Sequence, residues 1–293
     1  MTKRIKIAFI INPVSGVGKQ KKVEVAVEKL LDKSKFDASF IYSQYPGFIT
    51  DFINDNSGNY SGFVAVGGDG TINEAVQALV NKDLFLCIIP TGSGNGLARH
   101  LKIPMKIEKA VKRINEGKVN KIDVLKVADY YSVNVAGCGF DAEIGWDFAT
   151  LKKRGLTAYI RLISEKIWKY SPIKYHIKTG NDTNLQGDAF IISFANGTQY
   201  GNNAVVSPLS DLTDGIFELI IVKPFSKRYY PAVIAKLFTK NLHQSKFVQT
   251  IQTKRALVKI NTGKIHIDGE PRSIAENEFF NVEILPKALK VLF

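Results

Sequence analysis

The sequence predicts an α/β protein in two parts. Residues 1–125 form an N-terminal doubly wound, Rossmann-like nucleotide-binding domain, residues 126–285 a C-terminal antiparallel β-sandwich domain, and the tail near 286–293 returns to the first part. Three observations carry this expectation. The early chain alternates short apolar runs with segments whose apolar residues recur at helical spacing, the pattern of a parallel sheet covered by helices. Beyond residue 119 strand-like segments crowd together instead, as in a sandwich. At 293 residues the chain also exceeds what one core usually serves.

Residues 5–11 read as a buried first strand, too short for a signal-peptide core and running straight into Asn12-Pro13. A polar loop to Lys19 leads into a helix through Lys33, with Val23, Val27, Leu30 and Leu31 on one face. Strands follow at 38–42, 62–66 and 84–89. Helices are expected at 48–53, from a Thr71 cap through Leu79, from Asn95 to about Leu101, and at 107–117. Residues 119–127 and 131–136 read as paired strands about an Asp129-Tyr130 turn. Gly137-Cys-Gly-Phe-Asp-Ala-Glu143 then opens a helical region ending near Tyr170. Strands at 173–178, 188–195, 216–222, 247–251, 256–260 and 264–267, a helix at 227–240, and strands at 281–285 and 289–293 complete the chain.

In the first part, polar glycine-bearing loops fall at three strand ends: Asn12 to Gly18, Gly67 to Asn73, and Pro90 to Gly96. Glycine removes Cβ bulk where backbone must turn or approach a ligand, and a helix N-terminus behind such a turn suits a phosphate. Taken singly, each is equally an ordinary βα turn. The first lacks the Lys-Ser or Lys-Thr ending of a P-loop, and G-x-G-x-x-G does not follow the first strand, which disfavours a Walker ATPase or an NAD-dependent dehydrogenase.

Lys and Arg number 40 against 27 Asp and Glu, a net charge of +13 spread over both halves. That surplus favours anionic partners: nucleotide phosphates, nucleic acid or an acidic membrane surface. Helix-turn-helix, zinc and RNP-like aromatic signatures of nucleic-acid binding are lacking. Cys87 and Cys138 sit in apolar runs and read as buried thiols of a reducing compartment. With no uncharged apolar run of about 18 residues, the chain is expected to be cytoplasmic, with only peripheral membrane contact.

Together, Asn12-Pro-x-Ser-Gly16, Gly67-Gly-Asp-Gly-Thr71, Gly92-Ser-Gly-Asn95, Lys121-Ile-Asp123 and Asp268-Gly-Glu270 resemble the diacylglycerol kinase catalytic-domain superfamily, which includes bacterial soluble lipid kinases and sphingosine kinases. The resemblance spans nearly the whole chain in the right order. It implies a nucleotide domain followed by a β-sandwich, catalysis in the cleft between them, and transfer of the γ-phosphate of ATP, with Mg²⁺, to the hydroxyl of a membrane lipid. By that likeness Asn12, Pro13, Ser15, Gly16, Ser43, Gly67, Gly68, Asp69, Gly70, Thr71, Asn73 and Ser93 bind ATP. Asp69 acts through Mg²⁺ and water, and Asp123 joins that acidic network. Asp268 takes the proton of the lipid hydroxyl as general base, and Glu270 contacts the nucleotide, the turn aiming both carboxylates near one point. Asp211, Asp214 and Ile216 match a loop holding a structural Mg²⁺ through the Asp214 side chain and the carbonyls of 211 and 216. Asp141 or Glu143 matches a lipid-headgroup contact, or complements a helix N-terminus.

Gly96 departs from bacterial diacylglycerol kinases, many of which carry Asp there, and brings the third loop closer to the sphingosine kinase form. Arg154, with Lys152 and Lys153, is expected to meet the γ-phosphate or the membrane, or to solvate a helix. The stretch 148–168 is expected to line an apolar lipid cleft or to be plain core, and His266 to be structural. The expected partners are a membrane lipid substrate, an anionic membrane surface and, in oligomers, a second copy as a homodimer. Nucleic acid is not expected. Two other readings stand beside the lipid kinase: an NAD kinase, which shares the Gly-Gly-Asp-Gly turn, and a non-catalytic binder of anionic lipid or nucleic acid.

Overall fold

The computed structural model describes residues 4–15, 20–151 and 156–293, and side chains among these except at 156–160. Two compact units divide the chain, Met1–Val124 with Pro286–Phe293, and Leu125–Leu285.

The first unit runs β1 (Ile5–Ile11), α1 (Gln20–Leu30), β2 (Phe36–Tyr42), α2 (Phe48–Asn56), β3 (Gly62–Gly67), α3 (Asp69–Leu79), β4 (Phe85–Pro90), α4 (Gly96–His100) and α5 (Ile107–Glu116). Its strands lie in the order β2-β1-β3-β4 and are all parallel. The inner strands β1, β3 and β4 are buried at nearly every position, which is why each appears in the sequence as a continuous apolar run. Register sets Ile11 beside Val66 and Gly67 beside Pro90. The loops after β1, β3 and β4 therefore leave the sheet along one edge. Because β2 and β3 flank β1 on opposite sides, that edge holds the switch point where open α/β sheets bind ligands. One expectation needs correcting here: α3 begins at Asp69 with Gly68 as its cap, so Thr71 lies inside the first turn and does not cap it.

β5 (Val119–Val127) leads into the second unit, which continues β6 (Tyr130–Ser132), β7 (Val135–Gly139), α6 (Phe140–Thr150), α7 (Leu156–Lys166), β8 (Ile173–Thr179), β9 (Asn184–Ala189), β10 (Ile191–Ala195), β11 (Phe217–Val222), α8 (Tyr230–Phe238), β12 (Val248–Thr253), β13 (Arg255–Ile260), β14 (Lys264–Ile267), β15 (Glu270–Ser273) and β16 (Phe279–Leu292). One antiparallel layer has the order β12-β11-β10-β7-β14-β15. The other pairs β9, β8, β13 and the first part of β16. Their inner faces share one core, with Ile192, Phe194 and Phe217 from the first layer and Ile177, Val258 and Val282 from the second.

Strand limits differ from expectation where the chain changes layer. The hairpin partner of β5 ends at Ser132, its turn passing through Ala128 at φ 50°, and the chain then re-enters the other layer as β7. The expected strand 188–195 is two strands in different layers, broken at Phe190. The last two expected strands are one, β16, whose first part pairs with β13 and whose end pairs with β4. Apolar alternation is the same on either side of such a corner, so periodicity alone cannot mark it.

Candidate active site

In the first unit the three loops at the sheet edge are tied to one another. Asn12 N–H donates to the Val66 carbonyl at 3.1 Å, and its Nδ2 donates to Thr71 Oγ1 at 3.2 Å. Thr91 and Gly92 N–H groups donate to the Gly67 carbonyl at 2.9 and 3.3 Å. Ser15 Oγ lies 3.2 Å from Thr91 Oγ1, and Gly96 N–H donates to Asp69 Oδ1 at 2.7 Å. Gln20 Nε2, which the sequence reading did not single out, holds the carbonyls of Pro13 and Ser15 at 2.5 and 3.3 Å.

The glycines here are demanded by space. A Cβ on Gly92 would stand 2.5 Å from Gly68 Cα, and one on Gly67 would stand 2.1 Å from Thr71 Oγ1. Backbone at Gly67, Gly68 and Gly92 thus carries no side chain and is backed by the N-terminus of α3, whose first-turn amides lack intrahelical acceptors. Such a cradle fits the phosphates of a nucleotide.

Around it, Ser43 N–H donates to the Ile11 carbonyl at 3.0 Å, placing Ser43 beside the end of β1. Ser93 is exposed at its loop tip. Thr71 and Asn73 are buried, and Asn73 Oδ1 accepts from Gln77 Nε2 at 3.2 Å. Asn95 takes φ 52° at the start of α4, and its Nδ2 donates to the Gly92 carbonyl at 2.8 Å. Asp123 is fully buried, and its Oδ1 accepts from Lys287 N–H at 2.7 Å, fastening β5 to the returning strand. Gly16, and Arg154 with Lys152 and Lys153, lie outside the described residues.

In the second unit Asp268 and Gly269, at φ 51° and 88°, make the two-residue turn between β14 and β15. Two left-handed residues in succession match the right-handed twist of the strands, which is why Asp-Gly suits this hairpin. The Asp268 carboxylate folds back onto the chain before β7. Its Oδ1 accepts from Ser132 Oγ at 2.6 Å and from the N–H groups of Asn134 and Val135 at 2.9 and 3.2 Å, while Oδ2 accepts from Val133 N–H at 3.1 Å. These charge-assisted bonds fix where the carboxylate sits.

Behind the turn lies a buried polar chain. Gly269 N–H donates to His266 Nδ1 at 3.3 Å, so the ring proton is on Nε2, which donates to Asp141 Oδ2 at 3.0 Å. Tyr200 Oη donates to the same oxygen at 2.9 Å and lies 2.6 Å from Ser193 Oγ. His266 is buried and bonded at both ring nitrogens. Asp141 is turned inward: its Oδ1 accepts from Ala142 N–H at 2.8 Å and its side chain is only 10% exposed. Glu143 is paired with Lys264 at 3.1 Å. The Tyr200 link joins positions 59 residues apart and has no signature in the sequence.

The loop before β11 closes on itself. Asp211 Oδ1 accepts from Thr213 N–H and Oγ1 at 2.9 and 2.7 Å, and Asp214 Oδ1 accepts from Ile216 N–H at 3.0 Å. Among the described residues no cluster of three or more His, Cys, Asp or Glu side chains gathers for a metal ion. The expected set of one carboxylate and two carbonyls is of a different kind.

Two family models match the chain: the diacylglycerol kinase catalytic domain over residues 6–127, and the YegS C-terminal NAD kinase beta sandwich-like domain over residues 134–293. A relative from Yersinia pseudotuberculosis serotype I (strain IP32953), named "Probable lipid kinase YegS-like", is 31% identical over 236 residues, 78% of this chain and 77% of its own. One of the same name from Shewanella frigidimarina (strain NCIMB 400) is 29% identical over 251 residues, 83% of this chain and 79% of its own. Among solved structures, a diacylglycerol kinase from Bacillus anthracis str. Sterne superposes with a TM-score of 0.74 at 19% identity, covering 100% of this chain and 98% of its own, and so shares the fold.

Proposed function

Because the chain belongs to the diacylglycerol kinase catalytic-domain superfamily, we propose that it is a lipid kinase transferring the γ-phosphate of ATP to the hydroxyl of a membrane lipid of the diacylglycerol or sphingoid kind. The observation that carries this reading is the meeting of three loops at one sheet edge, with Gly92 too close to Gly68 to carry a side chain. Phosphoryl transfer asks a protein mainly to position the reactants and offset charge, and backbone amides in a glycine cradle do both.

In this reading Asn12, Ser15, the 67–71 turn and Ser93 hold the nucleotide. Mg²⁺ offsets charge on its phosphates, and Asp69 would hold that ion through water. The acceptor oxygen bonds to the γ-phosphorus as the bond to the bridging oxygen breaks, and the hydroxyl proton passes to the Asp268 carboxylate. The Asp214 side chain with the carbonyls of Asp211 and Ile216 would hold a second, structural Mg²⁺.

The test incubates the protein with γ-labelled ATP and a panel of diacylglycerol, sphingoid base, phosphatidylglycerol and, separately, NAD. A labelled lipid whose formation needs Mg²⁺ and fails with Asp268→Asn is the expected result. Label on NAD alone would replace the reading with an NAD kinase, and no label on any acceptor would remove it.

A further inference from the structure

A short helix on the surface of the second unit is apolar where a surface helix should be polar. α8, Tyr-Pro-Ala-Val-Ile-Ala-Lys-Leu-Phe, turns Tyr230, Val233 and Leu237 inward, Tyr230 against the aromatic cluster of Phe140 and Phe190 and the other two against Val206 and Ile220. That spacing already satisfies the unit's core. The outward positions Pro231, Ala232, Ile234, Ala235 and Phe238 are nevertheless exposed and carry no charge, Phe238 to 53% and Ile234 to 37%. A helix apolar on both faces belongs in an apolar medium.

The rim states which medium. From residue 219 to 267 the chain contains no Asp or Glu, while Lys223, Lys227, Arg228, Lys236, Lys240 and Lys246 lie on or beside α8. Aromatics, exposed at Trp168 and half-buried at Tyr229 and Phe247, stand among these cations. Lys227 Nζ donates to the Trp168 carbonyl at 2.7 Å and lies 5.9 Å from its ring, which is itself 5.8 Å from Tyr230, and Trp168 is 55% exposed. Arg228 lies 4.9 Å from the Tyr229 ring, and Lys246 lies 5.3 Å from the rings of both Tyr229 and Phe247.

We propose that α8 is an interfacial docking helix: Ile234 and Phe238 enter the acyl boundary of an anionic bilayer, Trp168 and Tyr229 sit at headgroup level, and the Lys/Arg rim meets lipid phosphates. An apolar outer face, flanking aromatics and a rim of one sign are what a helix lying in a membrane surface needs. A second copy of the chain would bring an equally basic rim against this one, so charge favours the bilayer. The proposal deepens the lipid-kinase reading by naming how the enzyme reaches its substrate, and it rests on that reading only for its purpose.

The experiment floats the full chain with vesicles of phosphatidylcholine alone, or with phosphatidylglycerol added, and follows Trp168 fluorescence in a Trp146→Phe background, Trp146 being the second tryptophan of the chain. Wild type, Phe238→Asp and the pair Lys227→Glu with Arg228→Glu are compared. Kinase activity is measured in parallel on lipid in vesicles and in detergent micelles. Expected are salt-sensitive flotation with the anionic vesicles, a blue shift of Trp168, and a loss of about tenfold or more in partitioning for both variants. Activity should fall on vesicles and persist in micelles. Variants that float like wild type, a wild type that does not float, or a dimer in lipid-free buffer that Phe238→Asp dissociates would each overturn the proposal. Micellar activity would show the kinase reading standing apart from such a failure, and flotation without activity in either medium would overturn the kinase reading alone.

Discussion

The glycine turns of the first unit and the Asp-Gly hairpin of the second use the same dipeptide chemistry for opposite reasons. At Gly92 the constraint is room, since an added Cβ would sit 2.5 Å from backbone that cannot rotate away. Gly68, its neighbour, has an ordinary extended φ of −99°. At Gly269 there is room, with nothing within 4 Å of an added Cβ, and the constraint is the left-handed φ of 88°. The first arrangement brings two loops of one chain into backbone contact. The second bends one chain so that a carboxylate can be seized by the strand beside it.

The sharpest way to break this comparison is to remove the seized group. Asp268→Asn keeps shape but loses the charge, and transfer is expected to fall about 10²–10⁴-fold with the circular dichroism spectrum retained. Wild-type turnover by that variant would leave the carboxylate a purely structural fastening. Next in size, Gly92→Ala should cost about 1–3 kcal/mol from overpacking and lose the rise in unfolding temperature that an ATP analogue is expected to give the wild type. An alanine variant as stable and as responsive as the parent would show that the two loops are not held in contact.

At Gly269 the order of substitutions is the test. Asn tolerates the left-handed region, so Gly269→Asn should cost less than about 1 kcal/mol, whereas the β-branched Gly269→Val should cost about 1–2 kcal/mol or more by urea unfolding. Equal losses would point to crowding there too.

The smallest effect concerns Glu218 in β11, which is buried and accepts from Ser210 Oγ and, at 3.3 Å, from Gln252 Nε2. Burial pushes its carboxyl above the ordinary Glu value of 4.5, partly offset by those hydrogen bonds. The folded state then holds the proton more tightly than the unfolded state, so stability is favoured below 4.5 and declines as pH rises through the raised value. Glu218→Gln should flatten that decline in urea midpoints measured against pH, and an unchanged slope would assign the decline to another group.

Legibility in the sequence followed the range of the interactions. The parallel sheet of the first unit and the three loops could be read because continuous apolar runs and glycine clusters are local signals of burial and turning. Asp-Gly at 268–269 was likewise legible as a hairpin. The partners of Asp268, the inward turn of Asp141 through His266 and Tyr200, and the burial of Asp123 under Lys287 were not, because each depends on segments remote in sequence meeting at one point. The corner at Phe190 escaped for a related reason: alternation reports that one face is buried but not in which layer.

By itself the sequence determined where backbone must be bare, where it must turn, and which family motifs stand in what order, since all of these are set by the residue types within a few positions. Only the tertiary structure decided which acidic side chains are engaged and by what, and that α8 keeps an apolar face on the outside. A carboxylate's partners and a helix's outer face are set by what packs alongside, and no run of neighbouring residues encodes that.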